Sequence, residues 1–195
     1  MSYALTLVTP PIGEPISVDE LKKHLRITQS AHDPMLANLI TAARAYCEQF
    51  TNRQLITATW KLELDAFPDV IRLPRPPLQW TANTHIKYYD TAGVQQTLVK
   101  DTDYVGDTSS VRGRIRPAYG KVWPTTQGIM NAVEVQFDAG YGVASAVPQL
   151  LKLAMMSKAA LWFTYPESVM EGYRATQSAT DPNRILWQYK VASFG

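Results

Sequence analysis

A single cysteine, Cys47, stands in the whole chain of 195 residues. That excludes an internal disulfide framework and any zinc site built from several thiolates. It points to a reducing compartment or to indifference to redox state. Histidine is almost as scarce: His24, His32 and His85 lie far apart, with no H-x-x-x-H or H-x-x-E-H spacing. Charged residues make up 18% against 46% hydrophobic, which excludes intrinsic disorder. The 19 Lys and Arg nearly balance 17 Asp and Glu, for a net +2. Such a charge gives no reason to expect nucleic acid or an anionic membrane as the main partner. The most apolar stretch, Leu150 to Tyr165, is broken by Lys152 and Lys158 and is too short to span a bilayer. Met1 to Thr9 has no basic n-region, so no secretory signal is expected. The G-x-S-x-G, P-loop and dinucleotide fingerprints are missing. Asp101, Asp103 and Asp107 fall short of the calcium-loop pattern and read as a solvated turn. We expect no catalytic residue, no metal and no cofactor.

Several features of the chain are strongly patterned. Pro10, Pro11 and Pro15 make the opening extended and irregular. Ser17 followed by Glu20 is a capping box, and Val18, Leu21 and Leu25 share the face of the helix it starts. Asp33-Pro34 begins a second helix, with Asp33 as N-cap. Its apolar face, Met35, Leu36, Leu39, Ile40, Ala43, Tyr46, Cys47 and Phe50, completes an α-hairpin and buries the thiol. The period then drops to two: Trp60, Leu62 and Leu64 alternate with Lys61, Glu63 and Asp65. LPRPPL (73–78) forbids regular ladder pairing. Short strand candidates follow at Thr84–Tyr89, Gln96–Val99, Asp103–Val105, Arg112–Arg116 and Ala132–Phe137, suiting an antiparallel meander. After the turn DAGYG (138–142), helix resumes at Pro148 with only two charges in about eighteen positions. Such a helix is either central to the core or buried partly by another subunit. The fold class is therefore α+β: a helical body, an α-hairpin plus a long apolar helix, with an inserted small antiparallel β-sheet. The divisions are 1–56 (extended arm and α-hairpin), 57–142 (β insertion), 143–166 (apolar helix on the hairpin) and 167–195 (C-terminal tail).

Two groups of residues suggest binding. Arg112, Arg114 and Arg116 alternate so that a strand would point all three guanidinium groups one way. Residues 72–121 hold eight basic residues against four acidic. The stripe reads either as contacts for phosphate or a partner's carboxylates, or as one solvated strand face. The tail carries Arg184, Ile185, Leu186, Trp187, Tyr189 and Phe194, an apolar and aromatic set of the kind that dominates binding hot spots. It either docks onto a partner or folds back on its own core. An enzyme would need paired carboxylates, for instance among Asp65, Asp69, Glu134 and Asp138. Glu134 and Asp138 alternate with Val133, Val135 and Phe137, which makes them solvated.

The order of segments is similar to that of the head–tail connector (adaptor) proteins of tailed phages and gene transfer agents, in their longer form with a β insertion. The carriers are LVTPPIGEPISVDELKKHLRI, DPMLANLITAARAYCEQFTNRQLITATW, IRLPRPPL, IKYYDTAGVQQTL, GRIRPAYGKVWP and VEVQFDAGYG ahead of VPQLLKLAMM. Beyond Pro166 no pattern matches. The resemblance implies a structural virion protein at the virion neck, made in the host cytoplasm and active as no enzyme. It implies a ring of about a dozen copies beneath the portal protein. A downstream stopper or tail-completion protein would follow, with DNA passing through the channel without sequence-specific binding. Cyclic rings use heterologous interfaces, which apolar surplus on two separate elements suits. The alternative is a nucleic-acid-binding module using the arginine-bearing strand.

Overall fold

The computed structural model describes residues 3–165 and 182–192. They fall into two compact units, one of residues 3–12 with 57–141, the other of 13–56 with 142–165 and 182–192. The first is all β and the second helical.

The β unit holds strands β1 (Tyr3–Thr9), β2 (Ala58–Leu64), β3 (Ile71–Arg72), β4 (Leu78–Gln79) and β5 (His85–Tyr89). β6 (Gln95–Leu98), β7 (Tyr104–Asp107), β8 (Arg114–Pro117) and β9 (Val133–Ala139) complete it. One sheet runs β1-β2-β9-β5-β6, with β4 also on β9; the other runs β3-β8-β7. Every named strand pair is antiparallel. Two expectations change here. Tyr3–Thr9 is not irregular but a ladder strand on β2, because the prolines begin only at Pro10, one residue after it ends. Nor is the insertion a meander: β2 pairs with β9, some seventy residues on, so β9 sits inside the sheet and not at its end. The proline-rich link is flanked by the two-residue strands β3 and β4 and contains a cis Pro76–Pro77 bond.

Registers show which residues share a face. One row crosses the large sheet as Leu5, Leu62, Val135, Ile86 and Leu98. The next runs Tyr3, Leu64, Val133, Tyr88 and Gln96. Their central members are buried, and Ile71, Tyr104 and Ile115 from the small sheet join the same core. Gly106 of β7 faces that core, and the Trp80 ring occupies the space a β-carbon would need. Gly140 takes φ 129 at the end of β9, a backbone state that suits glycine, and donates to Pro77 O at 2.9 Å.

In the helical unit, α1 is Val18–Leu25 and α2 is Asp33–Thr51. The capping box closes in both directions: Glu20 N–H donates to Ser17 Oγ at 3.1 Å and Ser17 N–H to Glu20 Oε2 at 2.6 Å. α2 is capped differently from expectation. His32 is its N-cap, without a side-chain cap bond, and Asp33 instead pairs with Lys22 at 2.9 Å. Leu36, Ile40, Ala43 and Cys47 form the buried face of α2, whereas Met35 is exposed. A 3₁₀ turn, Ala144–Ala146, leads to α3 (Gln149–Thr164). α4 (Pro182–Tyr189) packs against α2 and α3.

Candidate functional surfaces

The small sheet presents a basic face. Arg72, Arg114 and Asp107 lie side by side across β3, β8 and β7, and Arg116 lies opposite Val105. Three of the five outward strand positions are therefore arginine. Asp107 accepts from Arg114 Nε at 3.0 Å, from Ser110 Oγ at 2.7 Å and from Ser109 N–H at 2.8 Å. The Ser110 hydroxyl, then Arg114, hold its carboxyl well below the usual carboxylate range. Of the expected stripe, Arg114 and Arg116 sit on β8 and are exposed; Arg112 precedes the strand and is half-buried. Arg72 was missed. Its signal was the alternation Ile71-Arg72-Leu73, masked by the prolines that follow.

Asp138, expected to be solvated, is buried. It accepts from Thr59 Oγ1 and Thr81 Oγ1 at 2.7 Å each, and from Asn83 Nδ2 at 3.0 Å. Donors on the loop after β4 cover it, which strand alternation cannot reveal. Glu134 stays half-buried, with its carboxylate 3.9 Å from Lys61. Glu134 and Asp138, two of the four carboxylates weighed for hydrolysis, are thus engaged in separate contacts. In the helical unit a groove of about 590 Å³ is lined by Glu14, Ile16, Glu20, Thr41 and Lys152, among others. Its acids are also engaged: Glu14 holds Arg44 at 2.7 Å and Thr41 at 2.9 Å, and Glu20 caps α1. Burial pushes the Cys47 thiol up to about 12, too high for a nucleophile near neutral pH.

Around α4 the described part of the tail is anchored at home. Leu186 is fully buried; Tyr46 OH donates to Asn183 Oδ1 at 2.9 Å; Arg53 Nε donates to Tyr189 O at 2.7 Å. Val191 N–H reaches Thr51 O at 2.9 Å. Leu186 therefore packs inside its own unit and is not a free partner contact. Arg184 is exposed, Ile185 and Tyr189 are half-buried, and Trp187 is 60% exposed. Trp187 meets Phe50 edge-on at 5.3 Å, with Lys190 Nζ 4.3 Å from its ring centre. Phe194 lies outside the described residues. On α3, Leu151, Ala154, Met155 and Ala159 are buried, whereas Leu150 is 45% and Leu153 38% exposed.

A basic sheet face and a part-covered apolar helix are the surface features that stand out among the described residues. The pattern of the family described as phage gp6-like head-tail connector protein matches residues 15–115, a little over half the chain. The chain belongs to that family and is a structural connector of the head–tail junction. The fold is similar to a chain in the neck of an empty gene transfer agent particle with C6 symmetry. There the TM-score is 0.79 at 25% identity, over 98% of this chain and 97% of that one. A chain in the virion of a native gene transfer agent particle gives 0.78 at 25% identity, with the same coverage. One in the native neck with C12 symmetry gives 0.76 at 24%, also over 98% and 97%. No curated protein matches the chain.

Proposed function

We propose that the chain assembles into a ring of about a dozen copies beneath the portal protein, joining head to tail around a channel for DNA. The role is mechanical, without a catalytic step or cofactor. The observation that carries this reading is the near-complete match, 98% of the chain, to subunits of necks with cyclic symmetry. The exposed leucines of α3 support it, because a heterologous ring needs an apolar face for its neighbour. Trp187 and Arg184 are the contacts we assign to the portal, with Ile185 and Tyr189 at the margin; a stopper or tail-completion protein meets the opposite end. Exposed aromatic and arginine side chains on a firmly held helix fit a hot spot. The test is the mass of the purified protein alone and mixed with its portal. A discrete ring or portal-bound assembly supports the reading, and a monomer in both conditions sinks it. Trp187→Ala should fold normally and lose portal binding. The arginine face favours a second reading, a module that binds nucleic acid, for which loss of affinity with rising salt is the sign.

A further inference from the structure

We propose that the outward face of the small sheet, Arg72, Arg114 and Arg116, holds backbone phosphates of double-stranded DNA. The inference rests on the connector reading, in which DNA passes along the neck, and adds the surface that meets it. One face of the large sheet interleaves half-buried Lys61, Glu63, Lys87 and Glu134, with Asp138 buried further along it. There Glu63 stands directly opposite Glu134, a like-charge pair that Lys61 approaches at 3.0 Å and 3.9 Å, and Lys87 stands opposite Glu134 on its other side.

The small sheet also sets like charges opposite one another, here with a surplus of one sign. Arg72 stands directly opposite Arg114, a like-charge cross-strand pair that disfavours the sheet. Asp107 is the single carboxylate among the five outward strand positions, and it is bound to Arg114. The face therefore keeps a surplus of two positive charges. All three arginines are exposed. Residues two apart on one strand sit roughly 6.6 Å apart, so Arg116 presents its guanidinium fork one step along from Arg114, whose own fork is held by Asp107, and Arg72 stands beside Arg114. Arginine forks match phosphate oxygens two at a time. Base reading would need an element shaped to enter a groove. Exposed arginines alone, with no Asn or Gln among the outward strand positions, fit contact with the backbone, independent of sequence.

The test uses the full chain and a labelled duplex of about 30 base pairs of arbitrary sequence, followed by anisotropy between about 50 and about 200 mM salt. The wild type should bind weakly, and more weakly as salt rises. Arg72→Gln/Arg114→Gln/Arg116→Gln should lose at least about tenfold in affinity at the lower salt, with a log–log salt slope shallower by about 2–3. Arg116→Gln alone, at an exposed position, should remove about one unit of slope and serves if the triple variant misfolds. Replacing all three arginines by lysine should keep most of the slope. Unchanged binding by the glutamine variants overturns the proposal. So does a wild type that binds polyglutamate and not DNA, which would assign the face to an acidic protein partner. Failure of ring assembly with arginine-dependent DNA binding intact would overturn the proposed ring and leave the phosphate contacts standing.

Discussion

Asp138 shows how much one side chain can settle. Its carboxylate gathers three side-chain donors from β2 and from the loop after β4, in a site almost closed to water. Removing it strands those donors, and hydrogen bonds to a charged group are among the more valuable ones. Asp138→Ala should lower stability by roughly 2–4 kcal/mol in urea unfolding, and Asp138→Asn by less. A loss below about 0.5 kcal/mol would mean that water replaces the carboxylate. Two other buried groups set an alkaline limit. Burial raises the Cys47 thiol from 9.0 to about 12. Burial, then the nearby Asp101 and Asp103, raises the Tyr104 phenol from 10.0 to about 12. Between pH 9 and 12 the unfolded chain releases protons that the folded chain keeps, so the unfolded state gains. Stability is therefore complete below about pH 9 and falls as pH rises toward 12. Denaturation midpoints measured from pH 7 to 11 should show a decline that begins near 9; a flat profile would contradict these placements.

Among the elements, β7 and α4 make the sharpest demands. The core side of β7 at Gly106 is filled by the Trp80 ring, which stacks edge-on to Tyr104 at 5.9 Å. Gly106→Ala must push that indole out of the core and should cost roughly 1–3 kcal/mol, visible as a lower melting temperature and altered tryptophan fluorescence. For α4 the two faces separate stability from binding. Leu186→Ala, at a fully buried position, should cost roughly 2–5 kcal/mol. Trp187→Ala, on the exposed face, should cost much less. Equal losses at both positions would show that the exposed face is also structural. Truncation at residue 181 removes the buried leucine together with the Val191–Thr51 and Arg53–Tyr189 backbone contacts. It should therefore lower the melting temperature, which makes point substitutions on the outer face the cleaner probe of docking.

For the whole molecule, the decisive question is what covers the exposed leucines of α3. Leu150→Gln with Leu153→Gln removes apolar surface that the subunit itself leaves partly exposed. The monomer should unfold within about 0.5 kcal/mol of the wild type, while assembly measured by light scattering or native mass spectrometry fails. Normal assembly by the double variant would place the interface elsewhere. The charge distribution asks a second question at this scale. One sheet carries a balanced outer face and the other a basic one, although the chain as a whole is close to neutral. Net charge gave no hint of that division, because it averages over surfaces that meet different surroundings.

Local patterns in the chain were enough to place α1, α2, α3 and most strands, but not α4. Ser17 and Glu20 mark the start of α1 because a capping box closes within three residues. Alternation from Trp60 to Leu64 gives β2 its inner face, since side chains on a strand alternate by geometry alone. The order of segments, taken together, was enough to suggest the family. Three things lay beyond that reach. Nothing around Tyr3–Thr9 names β2 as its partner, and nothing in β9 says that it lies between β2 and β5. Main-chain donors and acceptors are the same at every residue, so long-range packing chooses among possible partners. The burial of Asp138 depends on Thr81 and Asn83, more than fifty residues earlier. Arg72 joined Arg114 only when β3 paired with β8. An apolar tail could equally have faced a partner, and α4 settled on α2 and α3 because they offered Leu186 a dry seat. Periodicity reports which side of an element avoids water; what fills that side is decided by contacts between residues far apart in the chain.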